Sequence, residues 1–339
     1  MKKGILILLL LLLGLALYSG WQIFGPVVQP PEGGYFYVRT GEDVKTIKQK
    51  LLKEGIIKSS FFYTRVEQFA KFEKARPGRY KIEKGSNLID LVKKLRRANQ
   101  EPVRLVINKL RTKEDLAGKI GRQFECDSLE AIRFLLSNDS LKNLGVDTHT
   151  VMTLVIPNTY ELNWNGNFKK VIGRLKSEHD KFWNEERTAL ARSIGLSPAE
   201  VYTMASIVEE ETNKKEDKKL IASVYINRIK KGMKLEADPT VKYASRNFGL
   251  KRILYGHLKY PSPYNTYQVT GLPPGPISTA SRETIDAVLN APQTDYIFFV
   301  AKPDFNGYSN FASNYEDHKK FAKAYQKALD SLILSKQSK

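Results

Sequence analysis

The chain opens with an apolar block. Lys2 and Lys3 precede an uncharged stretch that reaches Gly25, with no further charge before Glu32. A helix needs about 20 such residues to cross a bilayer. Further on the pattern changes period. "YFYVRTGEDVKTIKQKLLKEGII" alternates like a strand, turns at Gly41, then places Val44, Ile47 and Leu51 at helical spacing. "GRYKIEKGSNLIDLVKKLRRA" does the same with Ile82, Gly85, Leu88, Leu91 and Leu95. Overlaying the two glycines pairs Val38 with Ile82, Val44 with Leu88, Ile47 with Leu91 and Leu51 with Leu95. The pattern predicts a strand-turn-helix unit used twice, around helical residues near Phe61 to Phe72.

Downstream, "EPVRLVINKL" reads as a strand and "TKEDLAGKI" as a capped helix start, followed by helices and loops to about Leu334. From Lys320 a basic helix sets Phe321, Tyr325 and Leu329 on one face, which predicts a packed C-terminal helix. The fold class expected is α+β: a transmembrane helix, a small α+β module, and a larger helix-rich domain. The divisions are 1–25 for the anchor, 26–34 for a Pro- and Gly-bearing linker, 35–100 for the module, 101–334 for the larger domain and 335–339 for a basic tail.

One helix concentrates the chemistry. "SIGLSPAEVYTMASIVEEET" has Ser197 as N-cap, Pro198 at the first helical position and Glu200 completing a capping box. At about 100° per residue, Val201, Met204, Ala205, Val208 and Thr212 form a core-facing stripe. Glu210 is then expected to face water, while Glu209 and Glu211 flank the stripe on opposite sides. Partial burial there raises a carboxyl toward the range of a general acid. Being two residues apart, the two flanking acids are not expected to straddle a single bond. "KKEDKKLIASVYINRIKKGM" predicts a second helix stopped at Gly232, and "EADPTVKYA" a third with Asp238 as N-cap. "YPSPYNTYQVTGLPPGPIS" then supplies three tyrosines and five prolines, a stiff loop with aromatic faces that suit sugar rings.

Charge narrows the partners. The 339 residues hold 55 Lys+Arg against 36 Asp+Glu, a net charge of +19, which favours an anionic partner. A body exported behind a membrane anchor seldom meets nucleic acid, so lipid headgroups or anionic wall polymer are the alternatives to a merely solvated surface. Lys2 and Lys3 mark the cytoplasmic side. A cleaved signal peptide is the rival reading, but no A-x-A pattern follows the apolar run. The single cysteine, Cys126, excludes an intrachain disulfide. His149, His179, His257 and His318 are scattered without a metal-binding spacing, and neither a phosphate loop nor a nucleophile elbow occurs. No metal and no cofactor is expected.

"ASIVEEET", "ASVYINRIKKGMKLEADPTVKYA" and "YNTYQVTGLPPGPIS" resemble, in order and spacing, the three hallmark blocks of the MltG/YceG-like family of endolytic murein transglycosylases. That resemblance implies cleavage of the MurNAc-GlcNAc bond in nascent peptidoglycan strands, leaving 1,6-anhydro-MurNAc ends and terminating elongation. The enzyme would sit in the inner membrane by a single pass with its body in the periplasm, possible neighbours being cell-wall synthases. It implies Glu209 as catalytic acid and later base, and Glu211 as a supporting residue. Asn227, Arg228, Asp238, Tyr243, Tyr264, Asn265, Tyr267, Pro273 and Pro274 fall in the matching blocks as supporting or substrate-binding residues, with helix capping an equal explanation for Asp238. The stretch "VMTLVIPNTYEL" departs from the common "EGxLFPDTY", with Met152, Thr153 and Asn158 in place of the Glu-Gly pair and the Asp. Residues Tyr80 to Leu95 resemble a LysM glycan-binding pattern, against which stands a plain spacing role. A non-catalytic wall-binding scaffold and a water-using hydrolase are the alternatives to the lyase.

Overall fold

The computed structural model describes residues 2–337. Met1, Ser338 and Lys339 lie outside the described residues, so the end of the expected basic tail is not covered. The architecture is a helix-rich α+β chain led by an apolar helix. Its first part runs α1 (Lys2–Phe24), β1 (Tyr35–Val38), α2 (Val44–Lys53), α3 (Ser60–Phe69), β2 (Gly78–Lys81) and α4 (Leu88–Arg97). Next come β3 (Val103–Ile107), α5 (Lys113–Gln123), α6 (Ser128–Leu135), α7 (Asn138–Leu141), β4 (Asn158–Leu162), α8 (Phe168–Phe182) and α9 (Glu185–Ser193). The last part comprises α10 (Pro198–Glu211), α11 (Lys215–Lys230), α12 (Asp238–Ala244), α13 (Arg282–Leu289), β5 (Phe298–Ala301), β6 (Ser309–Ala312) and α14 (Tyr315–Gln337). Three two-stranded sheets form: β1–β2, β3–β4 and β5–β6.

The chain divides into two compact units. One holds the residues up to Leu105 with Ile120–Asp127 and Tyr160–Lys169. In it β1 and β2 pair antiparallel, Phe36 opposite Tyr80, and both rings are fully buried. Gly41 (φ 87°) and Gly85 (φ 82°) make the two turns in a conformation that other residues adopt only under strain. Asp43, Ser59 and Asn87 cap α2, α3 and α4 by accepting from backbone N–H groups three residues on. Ile47 and Leu51 from α2 then meet Leu88, Leu91, Val92 and Leu95 from α4 in one core. The expected strand-turn-helix repeat is therefore present, with α3 between its halves.

The other unit holds Val106–Lys119, Ser128–Thr159 and the residues from Lys170 on. Its centre is α10, which packs on α9, α11, α12 and α13. The expected capping box is formed: Ser197 accepts from the Glu200 N–H while the Glu200 carboxylate receives the Ser197 N–H. Of the expected stripe, Val201, Met204, Ala205 and Val208 are buried, while Thr212 lies past the helix end in extended backbone and is only half-buried; every residue from Val201 to Val208 is enclosed. Thr203 and Ser206 satisfy their hydroxyls within the helix, donating to the carbonyls of Ala199 and Thr203. Over these eight residues the helix has no solvent side. The C-terminal helix begins at Tyr315 and lies on β5–β6.

Candidate active site

Helix α10 carries its three glutamates at its C-terminal end, where a cleft of about 330 Å³ opens between Lys109, the three acids, Thr212–Lys214 and Gly307. The segment Ile277–Ala280 is stitched to the helix. Ser206 Oγ accepts from the Ile277 N–H at 3.0 Å, Ser278 Oγ donates to the Ser206 carbonyl at 3.3 Å, and Tyr202 Oη accepts from the Ala280 N–H at 3.2 Å. These bonds bring Ser281, the N-cap of α13, to Glu209.

Glu209 receives all its hydrogen bonds, among the described residues, at Oε2. Ser281 Oγ donates at 2.8 Å, Thr284 Oγ1 makes a short contact, and Lys218 Nζ lies 3.5 Å away. The Ser281 N–H adds a longer bond of 3.4 Å. Lys218 is itself buried and donates to Thr284 Oγ1 at 2.7 Å. Burial pushes the Glu209 carboxyl up, but the hydroxyl donors and the Lys218 ammonium outweigh it and hold the group below the ordinary carboxylate range. The expected upward shift thus fails for Glu209. It holds for Glu211, where burial dominates and pushes the carboxyl up to about 7, despite the Tyr225 hydroxyl bound to it.

Glu210 does not face water. Lys109 Nζ reaches its Oε1 at 2.7 Å and Arg111 Nη2 its Oε2 at 3.2 Å, leaving the side chain 15% exposed. The helical wheel assumed an open face, and the segment around Lys109–Arg111 covers it. That segment is fixed by reciprocal bonds with Thr279, whose N–H donates to the Leu110 carbonyl.

The other expected residues separate into groups. Glu211, Arg228, Asp238 and Tyr267 line a second cleft of about 370 Å³ with Leu235, Glu236, Phe298, Phe299, Tyr315 and His318. Glu211 is the wall common to both clefts. Asp238 is not an N-cap: Ala237 holds that position, and Asp238 is the first helical residue, its Oδ1 accepting from Tyr267 Oη at 2.8 Å. The Ala237 N–H donates to Thr266 Oγ1, and among the described residues no side chain caps the helix. Arg228 is buried, donating to the carbonyls of Ile297, Lys234 and Leu235 and to Glu236. Asn227 lies elsewhere, its amide donating to the carbonyls of Thr294 and Tyr296 beside a separate cavity of about 250 Å³.

In the proline-rich loop Asn265 is fully buried and organises the chain, donating to the carbonyls of Leu258 and Tyr260. Tyr243 and Tyr264 pack ring to ring at 4.8 Å, and Tyr264 Oη sits 3.2 Å from His149 Nδ1. Pro273 is buried and Pro274 exposed. Between them and Pro276's neighbours, Gly275 passes so close to His149 that a Cβ would fall 2.1 Å from its carbonyl oxygen. Met152 and Thr153 are buried in the turn Val151–Leu154, and Asn158 is exposed at the start of β4. Among the described residues no group of three or more His, Cys, Asp or Glu is placed to hold a metal ion.

Sequence reasoning missed Ser281, Thr284 and Lys218. A signal existed for each. "SRET" is a helix-cap sequence, and Lys218 shares its helix face with Ile221, Ala222 and Tyr225, an unusual place for a lysine.

A model of the YceG-like family matches residues 36–324. A Bacillus subtilis (strain 168) protein named endolytic murein transglycosylase is 28% identical over 332 residues, covering 93% of this chain and 91% of the relative. A Streptococcus pneumoniae (serotype 2, strain D39) protein of the same name is 28% identical over 310 residues, 82% of this chain and 56% of that longer relative. The crystal structure of a yceG-like protein from Listeria monocytogenes matches with a TM-score of 0.57 and 25% identity, over 84% of this chain and 98% of that one.

Proposed function

Because the chain belongs to the YceG-like family, we propose that it is an endolytic murein transglycosylase held at a membrane by α1, cutting glycan strands to leave 1,6-anhydro ends. The observation that carries this is Glu209: a carboxylate at the end of a core helix, in a cleft, with one oxygen locked by Ser281, Thr284 and Lys218. Its other oxygen is left for substrate. Glycan entering the cleft displaces water and favours the neutral carboxyl, which then protonates the glycosidic oxygen. As positive charge builds at C1, the returned carboxylate takes the proton of the sugar's C6 hydroxyl, whose oxygen closes on C1. One carboxylate serves both steps.

The opposite shifts of Glu209 and Glu211 favour a second assignment, in which Glu211 donates the proton and Glu209 acts as base. Digestion of defined glycan strands, read by mass spectrometry, separates the possibilities. Glu209→Gln is expected to abolish anhydro ends under both assignments, and undiminished product would sink the proposal. Glu211→Gln retains product if Glu209 works alone and loses it if Glu211 is the acid. Reducing ends would mark a hydrolase, and retention of strands without new ends a binding scaffold.

The apolar helix is compatible with a single-pass anchor and equally with a signal sequence. We take it as the anchor, with the basic body outside the membrane. For the small unit, the LysM-type pattern would place glycan at the polar cavity of about 250 Å³ beside Glu83, Ser86 and Asp90.

A further inference from the structure

We propose that α3 lies in the headgroup layer of the bilayer that α1 crosses, with its Phe61–Arg65–Phe69 edge turned to lipid; this rests on taking α1 as an anchor. The large apolar side chains of α1 from Ile5 to Leu17 stand open, none below 54% exposure. From Ser19 on, one side of the same helix packs against the small unit while Trp21 and Phe24 stay exposed. Ile23, and Val27 just past the helix end, pack on its core, and α1 contacts both α3 and α4. The Tyr18 ring meets the Phe62 ring edge to face, with centroids 6.0 Å apart.

This fixes the depth of α3. Filling a hydrocarbon core takes about 20 helical residues, which uses the uncharged stretch through to Phe24. Tyr18 is six residues earlier, about 9 Å down the axis. Phe62, level with Tyr18, is thereby carried below the outer boundary by the depth to which interfacial helices bury their apolar face, about 5–10 Å.

The surface of α3 suits that position. Phe61, Arg65 and Phe69 recur every four residues along one edge, Phe61 turned away from the core residues Tyr63 and Val66 and Phe69 beyond Val66 at the helix end. Phe61 is 60% and Phe69 89% exposed. Beyond α1, the exposed large hydrophobics among the described residues of this unit are these two and Tyr37. The Arg65 guanidinium lies 5.1 Å over the Phe61 ring, so the cation reaches outward from an apolar base. Exposed Lys58 and Lys71 flank the helix ends, where lipid phosphates would meet them.

The test uses the full chain in lipid nanodiscs. Spin labels are placed singly by Phe61→Cys, Phe69→Cys, Lys45→Cys and Leu12→Cys, and the parent chain, whose Cys126 is buried, gives the background. Depth is read from collisions with oxygen and with a water-soluble nickel complex. Labels at 61 and 69 are expected to lose most of the nickel accessibility seen at 45, while 12 reads as deep hydrocarbon. If 61 and 69 are as accessible as 45 while 12 stays deep, the placement of α3 is overturned and the anchor survives. If 12 is itself accessible to nickel, the anchor reading fails and this one with it.

Discussion

The Tyr225 hydroxyl donates to Glu211 Oε1 at 2.8 Å, tying the middle of α11 to the last residue of α10. Burial still dominates, and the Glu211 carboxyl stands at about 7 against an ordinary value of 4.5. The native state therefore binds the proton more tightly than the unfolded chain. The stability linked to it is fully present below about pH 4.5 and is lost as pH rises through about 7, at most about 3 kcal/mol. Glu211→Gln should flatten this slope in denaturant midpoints taken across that range; an unchanged slope would show that Glu211 is not its source.

Lys218 acts on Glu209 in the other direction. Its ammonium helps hold Glu209 as the anion. Lys218→Met keeps most of the packing and removes the charge, so with Glu209 in its proposed role the limb of the pH–rate profile that reports it should move to higher pH. Initial rates of anhydro-end formation across pH measure this. A profile that does not move would mean the charge is not felt at Glu209.

Arg228 stands in a hallmark block, yet its listening partners are three backbone carbonyls and Glu236. A lysine cannot reach that fork of acceptors. Arg228→Lys is expected to cost on the order of 3 kcal/mol in denaturant unfolding, with product formed per folded molecule retained. Lost turnover at full stability would instead place Arg228 on the substrate.

Local signals were readable where they act locally. Ser197 and Glu200 specified the start of α10, and the glycines at 41 and 85 marked the repeated turns. Long-range contacts were not. The wheel that sent Glu210 to water had no access to Lys109 and Arg111, which close over it from about a hundred residues upstream. Asp238 followed by Pro239 looks like a cap and its helix, but the helix starts one residue earlier than that reading, with Ala237 as N-cap, and the Asp238 carboxylate accepts from Tyr267 across the fold. The burial that separates Glu209 from Glu211 likewise depends on partners from α11 and α13, so spacing alone could not tell the two acids apart.

Enclosure of Val201–Val208 on every side gives the cleft an unyielding mount. Eight successive residues before Glu209 are locked in the core, so Glu209 has no hinge behind it and cannot swing out to meet a strand. On the proposed function the polymer must come to the carboxylate, and any adjustment between resting and working states would belong to the glycan and to the loops around it.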